Sequence, residues 1–322
     1  MYLRPLMRGL ATYVPGARRI FARGTGGTTA PRYCYSVWLR HLVMAQRNGL
    51  PTDPEVIAEL GPGDSLGIGL CAVLTGVRRY LAFDVVRYAD TTRNIQVFDE
   101  LVDLLRSRAA IPGEDDYPLV DPRLDSYEFP ADILTDKRLA GTLAPDRIAA
   151  AREALLRLGE APAAGIEISY VAPWHDPDVV RLGSVDMIVS QAVLEHVTDL
   201  PLTYRAMHQW LKPGGAVAHS IDFRSHTYAR EWNGHWAYSD RAWRLTVGNR
   251  PFLLNREPVS THLRLLAENA FEIVHSQARR SENGIVRERL APRFRGMSDN
   301  DLATQAVFVQ ARKPGAIATQ AR

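Results

Sequence analysis

The sequence predicts an α/β fold around a mostly parallel sheet, and a strand signal, a helix signal and the hydrophobic content support this prediction. The run Val56–Leu60 is apolar except for Glu59 and is followed by Gly61, as expected for a strand that is buried on both faces. A helix is predicted at residues 66–75, with Ser65 as its N-cap. Hydrophobic residues make up 46% of the 322 positions, which is enough for a sizeable core in one large domain or one domain with additions.

The turn after this strand reads Glu59-Leu-Gly61-Pro-Gly63-Asp-Ser65. Glycine has no Cβ, so Gly61 and Gly63 can adopt backbone angles closed to other residues and let a ligand approach the main chain. The free N–H groups at the start of the following helix would face such a ligand. The pattern favours a nucleotide-binding turn, but Leu66 stands where a dinucleotide fingerprint needs its third glycine. This argues against NAD or FAD.

The same stretch is similar to the first motif of the class I S-adenosylmethionine-dependent methyltransferase family, an acid followed by G-x-G-x-G, with Ser65 in place of the third glycine. Further resemblances follow in chain order over about residues 55–312, outside a long insertion. Residues 80–84 resemble the second strand, 184–197 the fourth strand and its loop, and 211–215 the turn before a fifth strand at 216–221. The resemblance implies a Rossmann-like fold: a seven-stranded, mostly parallel sheet with an antiparallel last strand and helices on both faces.

The resemblance also implies a cofactor, S-adenosyl-L-methionine, and the residues that bind it. In this family the acid at the position of Asp84 receives the two ribose hydroxyls, and a carboxylate can accept both hydrogen bonds. Ser190 and Gln191 end the fourth strand, where open parallel sheets place their ligands. The predicted cofactor-binding residues are therefore Glu59, Gly61, Gly63, Ser65, Asp84, Ser190 and Gln191.

Candidate catalytic residues follow the fifth strand, where residues 222–240 concentrate imidazoles and indoles. Methyl transfer is an in-line displacement, so the enzyme must align the acceptor and, for a hydroxyl, help to remove its proton. Asp222, His226 and His235 are the candidate bases, whereas His196 in the loop after the fourth strand is expected to orient or pack, with a role as general base as its alternative. The aromatic residues of this segment could form a platform for a sugar or an aromatic ring, or could pack the core: Trp232, Trp236 and Tyr238.

On this resemblance the chain divides into an N-terminal basic, partly helical extension at residues 1–52, a methyltransferase domain at 53–312 and a disordered tail at 313–322. Helices are predicted at residues 35–47, 95–106 and 144–158, the third strand at 166–171, the sixth at 271–275 and the seventh at 305–311. The insertion, at about 107–160, either closes over the substrate or decorates the surface.

The net charge is +3, but residues 1–50 contain eight arginines and no acidic residue. Such a segment could hold an anionic partner. It could also reflect a general preference for arginine, because the whole chain has only three lysines. The same two interpretations apply to the arginines near the candidate catalytic residues, which would favour an anionic acceptor: Arg224, Arg230, Arg241, Arg244 and Arg250.

Cys34 and Cys71 are the only cysteines, so a disulfide scaffold is not expected and a cytoplasmic location is predicted. No apolar run is long enough to span a bilayer. No spacing of His, Cys or acidic residues forms a recognisable metal site, and no metal is predicted.

We therefore expect a methyltransferase that acts on a hydroxyl oxygen of a small molecule or glycan precursor, in bacterial secondary or polysaccharide metabolism. The chain lacks a recognisable RNA-binding appendage and the Asn/Asp-Pro-Pro-Tyr/Phe motif associated with planar nitrogen, so nucleic acid is not the expected substrate. One alternative is an N-methyltransferase for a small-molecule amine. Another is a non-catalytic, nucleic-acid-associated binding module with a vestigial cofactor pocket. The oligomeric state does not follow from the sequence.

Overall fold

The computed structural model describes residues 3–13, 27–160, 164–250 and 253–315, without the side chains of residues 3 and 4. Within these ranges seven strands form one sheet in the order β3-β2-β1-β4-β5-β7-β6, and β7 runs antiparallel to both of its neighbours. The predicted Rossmann-like sheet with an antiparallel last strand is confirmed. The strands are β1 Val56–Leu60, β2 Arg79–Phe83, β3 Glu167–Val171, β4 Val185–Gln191, β5 Leu211–Asp222, β6 Glu272–Arg280 and β7 Thr304–Arg312.

Helices cover both faces of the sheet, and hydrophobic cores lie on each side of it. The predicted helices are present, but they begin or end a few residues away from the predicted bounds. The helices are α1 Leu3–Ala11, α2 Pro31–Arg47, α3 Gly67–Leu74, α4 Thr91–Arg106, α5 Asp136–Thr142, α6 Pro145–Leu156, α7 Leu200–Trp210, α8 Asp240–Val247, α9 Val259–Glu268 and α10 Asp299–Ala303.

Two local predictions need correction. The predicted turn at residues 211–215 lies inside β5, where the pairing with β4 steps from Leu211 to Ala216 and leaves the intervening residues as a bulge. Gly214 permits this bulge because its φ is +83°. The helix after the glycine turn has Leu66 rather than Ser65 as its N-cap. Ser65 nevertheless accepts a hydrogen bond of 3.1 Å from the N–H of Gly67, through its hydroxyl oxygen.

The insertion between β2 and β3 is bound to α2 of the N-terminal extension. Arg40 is fully buried and donates hydrogen bonds to three main-chain carbonyls of the insertion, those of Pro112, Val120 and Pro122, at 2.7–3.0 Å. Two further arginines of α2 form ion pairs with acidic residues of the insertion: Arg32 with Asp116 at 3.4 Å and Arg47 with Asp125 at 2.9 Å. The basic extension and the acidic insertion therefore neutralise each other in part.

Parts of two predictions lie outside the described residues. These are the arginines at positions 18, 19 and 23 of the basic extension and residues 316–322 of the predicted tail. At the start of that tail, Lys313 donates hydrogen bonds to the carbonyls of His208 and Leu211 at 2.8 and 2.9 Å. The division into domains stays a prediction. Within the described ranges no helix combines the length and apolar character needed to cross a membrane.

The packing of α3 against β1 and β2 fixes the start of α3 and hence the glycine turn. The Glu59 carboxylate is buried and accepts a hydrogen bond from the Tyr80 hydroxyl and one of 3.1 Å from the N–H of Gly69. A Cβ at Gly69 would clash with the Tyr80 ring. The helix can therefore lie close to β2 only because position 69 has no side chain.

Gly69→Ala should lower the free energy of unfolding by about 1–3 kcal/mol, because the added methyl group overpacks the contact with the Tyr80 ring. Gly141→Ala is the matched control, since Gly141 lies within α5 and a Cβ there meets no atom within 4 Å. The control should be neutral or stabilising by up to about 1 kcal/mol. Denaturant unfolding of both variants measures the difference, and equal effects would contradict this account of the packing.

Candidate functional site

The glycine turn lies at the carboxyl edge of the sheet, directly after β1. Gly61 and Gly63 have φ angles of +63° and +75°, which favour glycine. A Cβ at Gly61 would lie 2.5 Å from Cγ2 of Val193, in the loop after β4. The main chain at Gly61 is therefore held in a conformation and at a distance that no other residue could adopt without strain.

Asp84 follows β2 and lies beside this turn. Its Oδ2 accepts a hydrogen bond of 3.3 Å from the N–H of Gly63, and its Oδ1 accepts one of 2.7 Å from the N–H of Val85. Burial raises the pKa of Asp84. Each carboxylate oxygen has a second lone pair, so the group retains capacity for ligand hydroxyls. Gly61, Gly63 and Asp84 together form one cradle at the edge of the sheet.

Two other predicted cofactor residues lie behind the turn. Glu59 is 2% exposed and holds Tyr80 and α3, and burial raises its pKa to about 8. Ser65 is fully buried, its hydroxyl donates to the carbonyl of Thr28, and its N–H donates to the Thr28 hydroxyl oxygen at 3.2 Å. The structure places both residues where they support the shape of the turn, while their contact with a cofactor stays a prediction.

Ser190 and Gln191 end β4 but face different surroundings. Ser190 is buried, and its hydroxyl lies 2.8 Å from Nδ1 of His219 on β5. Gln191 lines a cavity of about 190 Å³ at the carboxyl ends of β4 and β5. The remaining lining residues are Tyr33, Leu119, Val120, Asp121, Ala192, Ser220, Asp222, Arg224, Arg279 and Ala306.

Asp222 lines this cavity from the end of β5. Arg224 Nε donates to its two carboxylate oxygens at 2.8 and 3.0 Å. Burial acts to raise the pKa of Asp222, but the hydrogen bonds from Arg224 and the nearby His226 outweigh it and hold the pKa well below its usual value. A second ion pair of the cavity joins Asp121 in the insertion to Arg279 on β6 at 3.1 Å.

His226 and the loop after β4 form a polar cluster next to Asp222. His226 Nε2 lies 3.4 Å from Asp222 Oδ2, and its ring packs edge-on against that of His196 at 5.0 Å. Burial and the neighbouring His226 lower the pKa of His196 to about 4. Glu195 is 1% exposed, and neither of its carboxylate oxygens makes a hydrogen bond of good geometry with a described residue. The ligating atoms of these three residues, Glu195, His196 and His226, lie within 4.8 Å of one another.

His235, the third predicted base, lies in an aromatic core. It is 1% exposed, and its ring lies 4.7 Å from that of Trp236 and 6.4 Å from that of Trp243. Burial and Arg256 lower its pKa well below the usual value. Trp236 is buried as well and donates to the carbonyl of Arg256 at 2.9 Å. For Trp236 the surroundings agree with the packing alternative.

Several residues of this site were missed by the sequence analysis as site residues. Asp121 and Arg279 belong to the insertion and to an edge strand, and no local pattern connects them. Tyr33 lies in the first turn of α2, before residue 35, where the helix was predicted to begin. Glu195 offered a signal that could have been used, because it is a charged residue beside His196 in an otherwise apolar loop.

A family model described as a methyltransferase domain matches residues 107–272. The matched segment contains β3, β4 and β5, and it begins after the glycine turn. No curated protein matches the sequence.

Three solved structures that are similar to this chain are methyltransferases at 12–18% sequence identity. An S-adenosylmethionine-dependent methyltransferase from Mesorhizobium loti is 18% identical, with a TM-score of 0.40 and coverage of 84% of this chain and 97% of that one. A counterpart from Methanosarcina mazei is 14% identical, with a TM-score of 0.41 and coverage of 84% and 97%. A phosphoethanolamine N-methyltransferase from Haemonchus contortus, solved with S-adenosyl-L-methionine, is 12% identical, with a TM-score of 0.41 and coverage of 88% and 57%.

Glu59→Gln should change how the free energy of unfolding depends on pH. The pKa of Glu59 is about 8 in the folded protein and about 4.3 in an unfolded chain, so folding takes up a proton between these values. The stabilising effect of this carboxyl is complete below the unfolded pKa and is lost as the pH rises through the folded pKa. Relative to the variant, the wild type should therefore lose about 1.4 kcal/mol per pH unit between about pH 5 and 7.5.

Denaturant unfolding across this pH range tests the expectation, with Glu55→Gln at the exposed position before β1 as the control. Parallel curves of unfolding free energy against pH for the wild type and Glu59→Gln would show that folding does not raise the pKa of Glu59.

Proposed function

Since the chain belongs to the class I S-adenosylmethionine-dependent methyltransferase family, whose domain model matches more than half of it, we propose that it methylates a hydroxyl oxygen of a small polar molecule. S-adenosyl-L-methionine is the cofactor of this enzyme. The observation that carries the proposal for the acceptor is the polar cavity at the carboxyl ends of β4 and β5, next to the glycine turn.

The residues around the glycine turn fit the cofactor. The Val193 side chain occupies the space that a Cβ at Gly61 would fill, so glycine at this position lets the loop after β4 pack directly against the turn. The Asp84 carboxylate is anchored by two main-chain N–H groups and keeps lone pairs for two ribose hydroxyls. We expect Gly61, Gly63 and Asp84 to make the central cofactor contacts.

The loop after β4 joins the cradle to the cavity. Gln191 and Ala192 line the cavity, and the next residue, Val193, lies against Gly61. A cofactor on the glycine turn and an acceptor in the cavity would therefore both lie beside this loop, close to each other. The cavity of about 190 Å³ is smaller than the roughly 300–1,000 Å³ of pockets for drug-sized ligands, which favours a small acceptor or one sugar unit of a larger precursor.

The charges of the cavity favour a neutral acceptor. Its two arginines and two aspartates pair with each other, Arg224 with Asp222 and Arg279 with Asp121. The described lining thus offers neither an unpaired carboxylate for an ammonium group nor an unpaired guanidinium for an anion. Hydroxyl groups can donate to the carboxylates and accept from the guanidinium groups without disturbing this balance. Three of the arginines that would favour an anion are exposed and do not line the cavity: Arg230, Arg241 and Arg244.

The cofactor supplies an electrophilic methyl group for in-line displacement by the acceptor oxygen. The protein holds the acceptor and accepts the hydroxyl proton. Asp222 lines the cavity and His226 lies 3.4 Å from it, so this pair is placed to accept that proton. His235 is more deeply buried, and its role as a base stays a prediction, as does a place in cytoplasmic secondary or polysaccharide metabolism.

Asp84→Ala should raise the Kd for S-adenosylhomocysteine about 100- to 10,000-fold, because two charge-assisted hydrogen bonds are lost. Asp132→Ala, at an exposed position of the insertion, is the control and should bind like the wild type. His226→Ala should also keep the wild-type affinity but lower turnover. Calorimetric titration measures the affinities, and unchanged binding by Asp84→Ala would contradict the placement of the cofactor.

The acceptor class is tested by incubating the enzyme with methyl-labelled cofactor and matched panels of neutral hydroxylated molecules and amines. Carbon NMR of the products distinguishes a methyl group on oxygen from one on nitrogen. We expect O-methyl products only. Products methylated only on nitrogen would replace the hydroxyl proposal with the amine alternative.

A further inference from the structure

We propose that Glu195, His196 and His226 bind a divalent transition-metal ion beside the acceptor cavity, where the ion holds and activates the acceptor hydroxyl. The role in activation rests on the proposed function, whereas the metal site itself rests on the geometry of the three side chains. Glu195 and His196 come from the loop after β4, and His226 comes from the segment after β5. The fold therefore brings together ligands that are separated in sequence.

The distances suit a single ion. The three ligating atoms lie within 4.8 Å of one another. Two ligands bound to one ion at about 2.0–2.2 Å are at most about 4.4 Å apart. Small rotations of the side chains are therefore sufficient to bring all three atoms into one coordination sphere.

The Glu195 carboxylate gives an independent indication of a bound cation. It is 1% exposed, and neither of its oxygens makes a hydrogen bond of good geometry with a described residue, although the main-chain N–H groups of Glu195 and Asp222 lie near it. A buried polar group in that state costs free energy. Among the described residues His226 Nε2 has only a long contact of 3.4 Å, with Asp222 Oδ2. A cation between these groups would satisfy the carboxylate and the imidazole together.

His196 shows the orientation expected of a metal ligand. Its Nδ1 lies 3.3 Å from the main-chain carbonyl of Leu253, which places the proton on Nδ1, so the ion would be bound through Nε2. Histidine ligands usually donate their other ring N–H to a carbonyl or a carboxylate in this way. The contact with Leu253 would thus orient the ring before the metal binds.

The ligand set indicates the kind of ion and its role. Two imidazoles and one carboxylate suit Zn²⁺, Mn²⁺, Fe²⁺ or Co²⁺ better than Mg²⁺ or Ca²⁺, which prefer oxygen ligands. Three protein ligands leave a coordination position for the acceptor hydroxyl. A bound cation would lower the pKa of that hydroxyl, so that its proton could leave to water. His226 would then serve as a ligand rather than as the base.

The test uses full-length protein freed of metal by dialysis against a chelator, with Co²⁺ as the probe. We expect one equivalent of Co²⁺ to bind with visible absorption of the ligand field. Glu195→Gln and His226→Ala should each weaken binding at least tenfold. The control His175→Ala changes an exposed histidine after β3 and should bind like the wild type.

Thermal unfolding separates a metal site from a merely structural role. Saturating Zn²⁺ should raise the Tm of the wild type and of His175→Ala but not that of Glu195→Gln. The metal-free Glu195→Gln variant should unfold at or above the wild-type Tm, because a neutral amide replaces a buried, unpartnered carboxyl group. Absence of Co²⁺ binding by the wild type, or wild-type affinity in Glu195→Gln and His226→Ala, would overturn the proposal.

Titration of the same metal-free protein with S-adenosylhomocysteine distinguishes this proposal from the proposed function. Binding of S-adenosylhomocysteine without any binding of Co²⁺ rejects the metal site and keeps the methyltransferase. Binding of Co²⁺ at the three residues without binding of S-adenosylhomocysteine supports the metal site and rejects the proposed function.

Discussion

The rest of the site depends on the two hydrogen bonds that the buried Glu59 carboxylate accepts. The carboxylate joins β1, which carries it, to β2 through the Tyr80 hydroxyl and to α3 through the N–H of Gly69. The glycine turn lies between β1 and α3, so its conformation follows from this junction. Burying the carboxyl group raises its pKa and costs stability above neutral pH. In return, the hydrogen bonds of Glu59 hold the turn beside Asp84 in one conformation.

The N-terminal extension and the insertion after β2 shape the cavity at the carboxyl ends of β4 and β5. Buried Arg40 binds the insertion to α2 through main-chain carbonyls, and the same insertion contributes Asp121 to the cavity. The loops after β4 and β5 carry Glu195, His196 and His226, of which His226 lies 3.4 Å from Asp222 in the cavity lining. The cavity is thus bounded by residues from the extension, the insertion and the sheet. A small, charge-balanced space next to the glycine turn is the result, and we propose that it holds the acceptor.

Local signals account for the parts of this structure that the sequence predicted. Short apolar runs and glycines mark β1 and the turn after it, and the acid after β2 marks Asp84. β6 was predicted too short, because this edge strand is largely exposed and lacks an apolar pattern. The ion pair of Asp121 with Arg279 and the cluster of Glu195 with His226 could not be predicted, since each joins segments that only the folded sheet brings together. Arg40 likewise looked like part of a basic surface, yet it is buried.

The central claim is that the cradle of Gly61, Gly63 and Asp84 binds S-adenosyl-L-methionine. Calorimetric titration of the wild-type protein with S-adenosyl-L-methionine and S-adenosylhomocysteine, with NAD as the comparison, tests it most directly. The account predicts micromolar binding of both sulfur compounds and no binding of NAD, because Leu66 replaces the third glycine that a dinucleotide requires. Binding of neither sulfur compound, or equal binding of NAD, would contradict it.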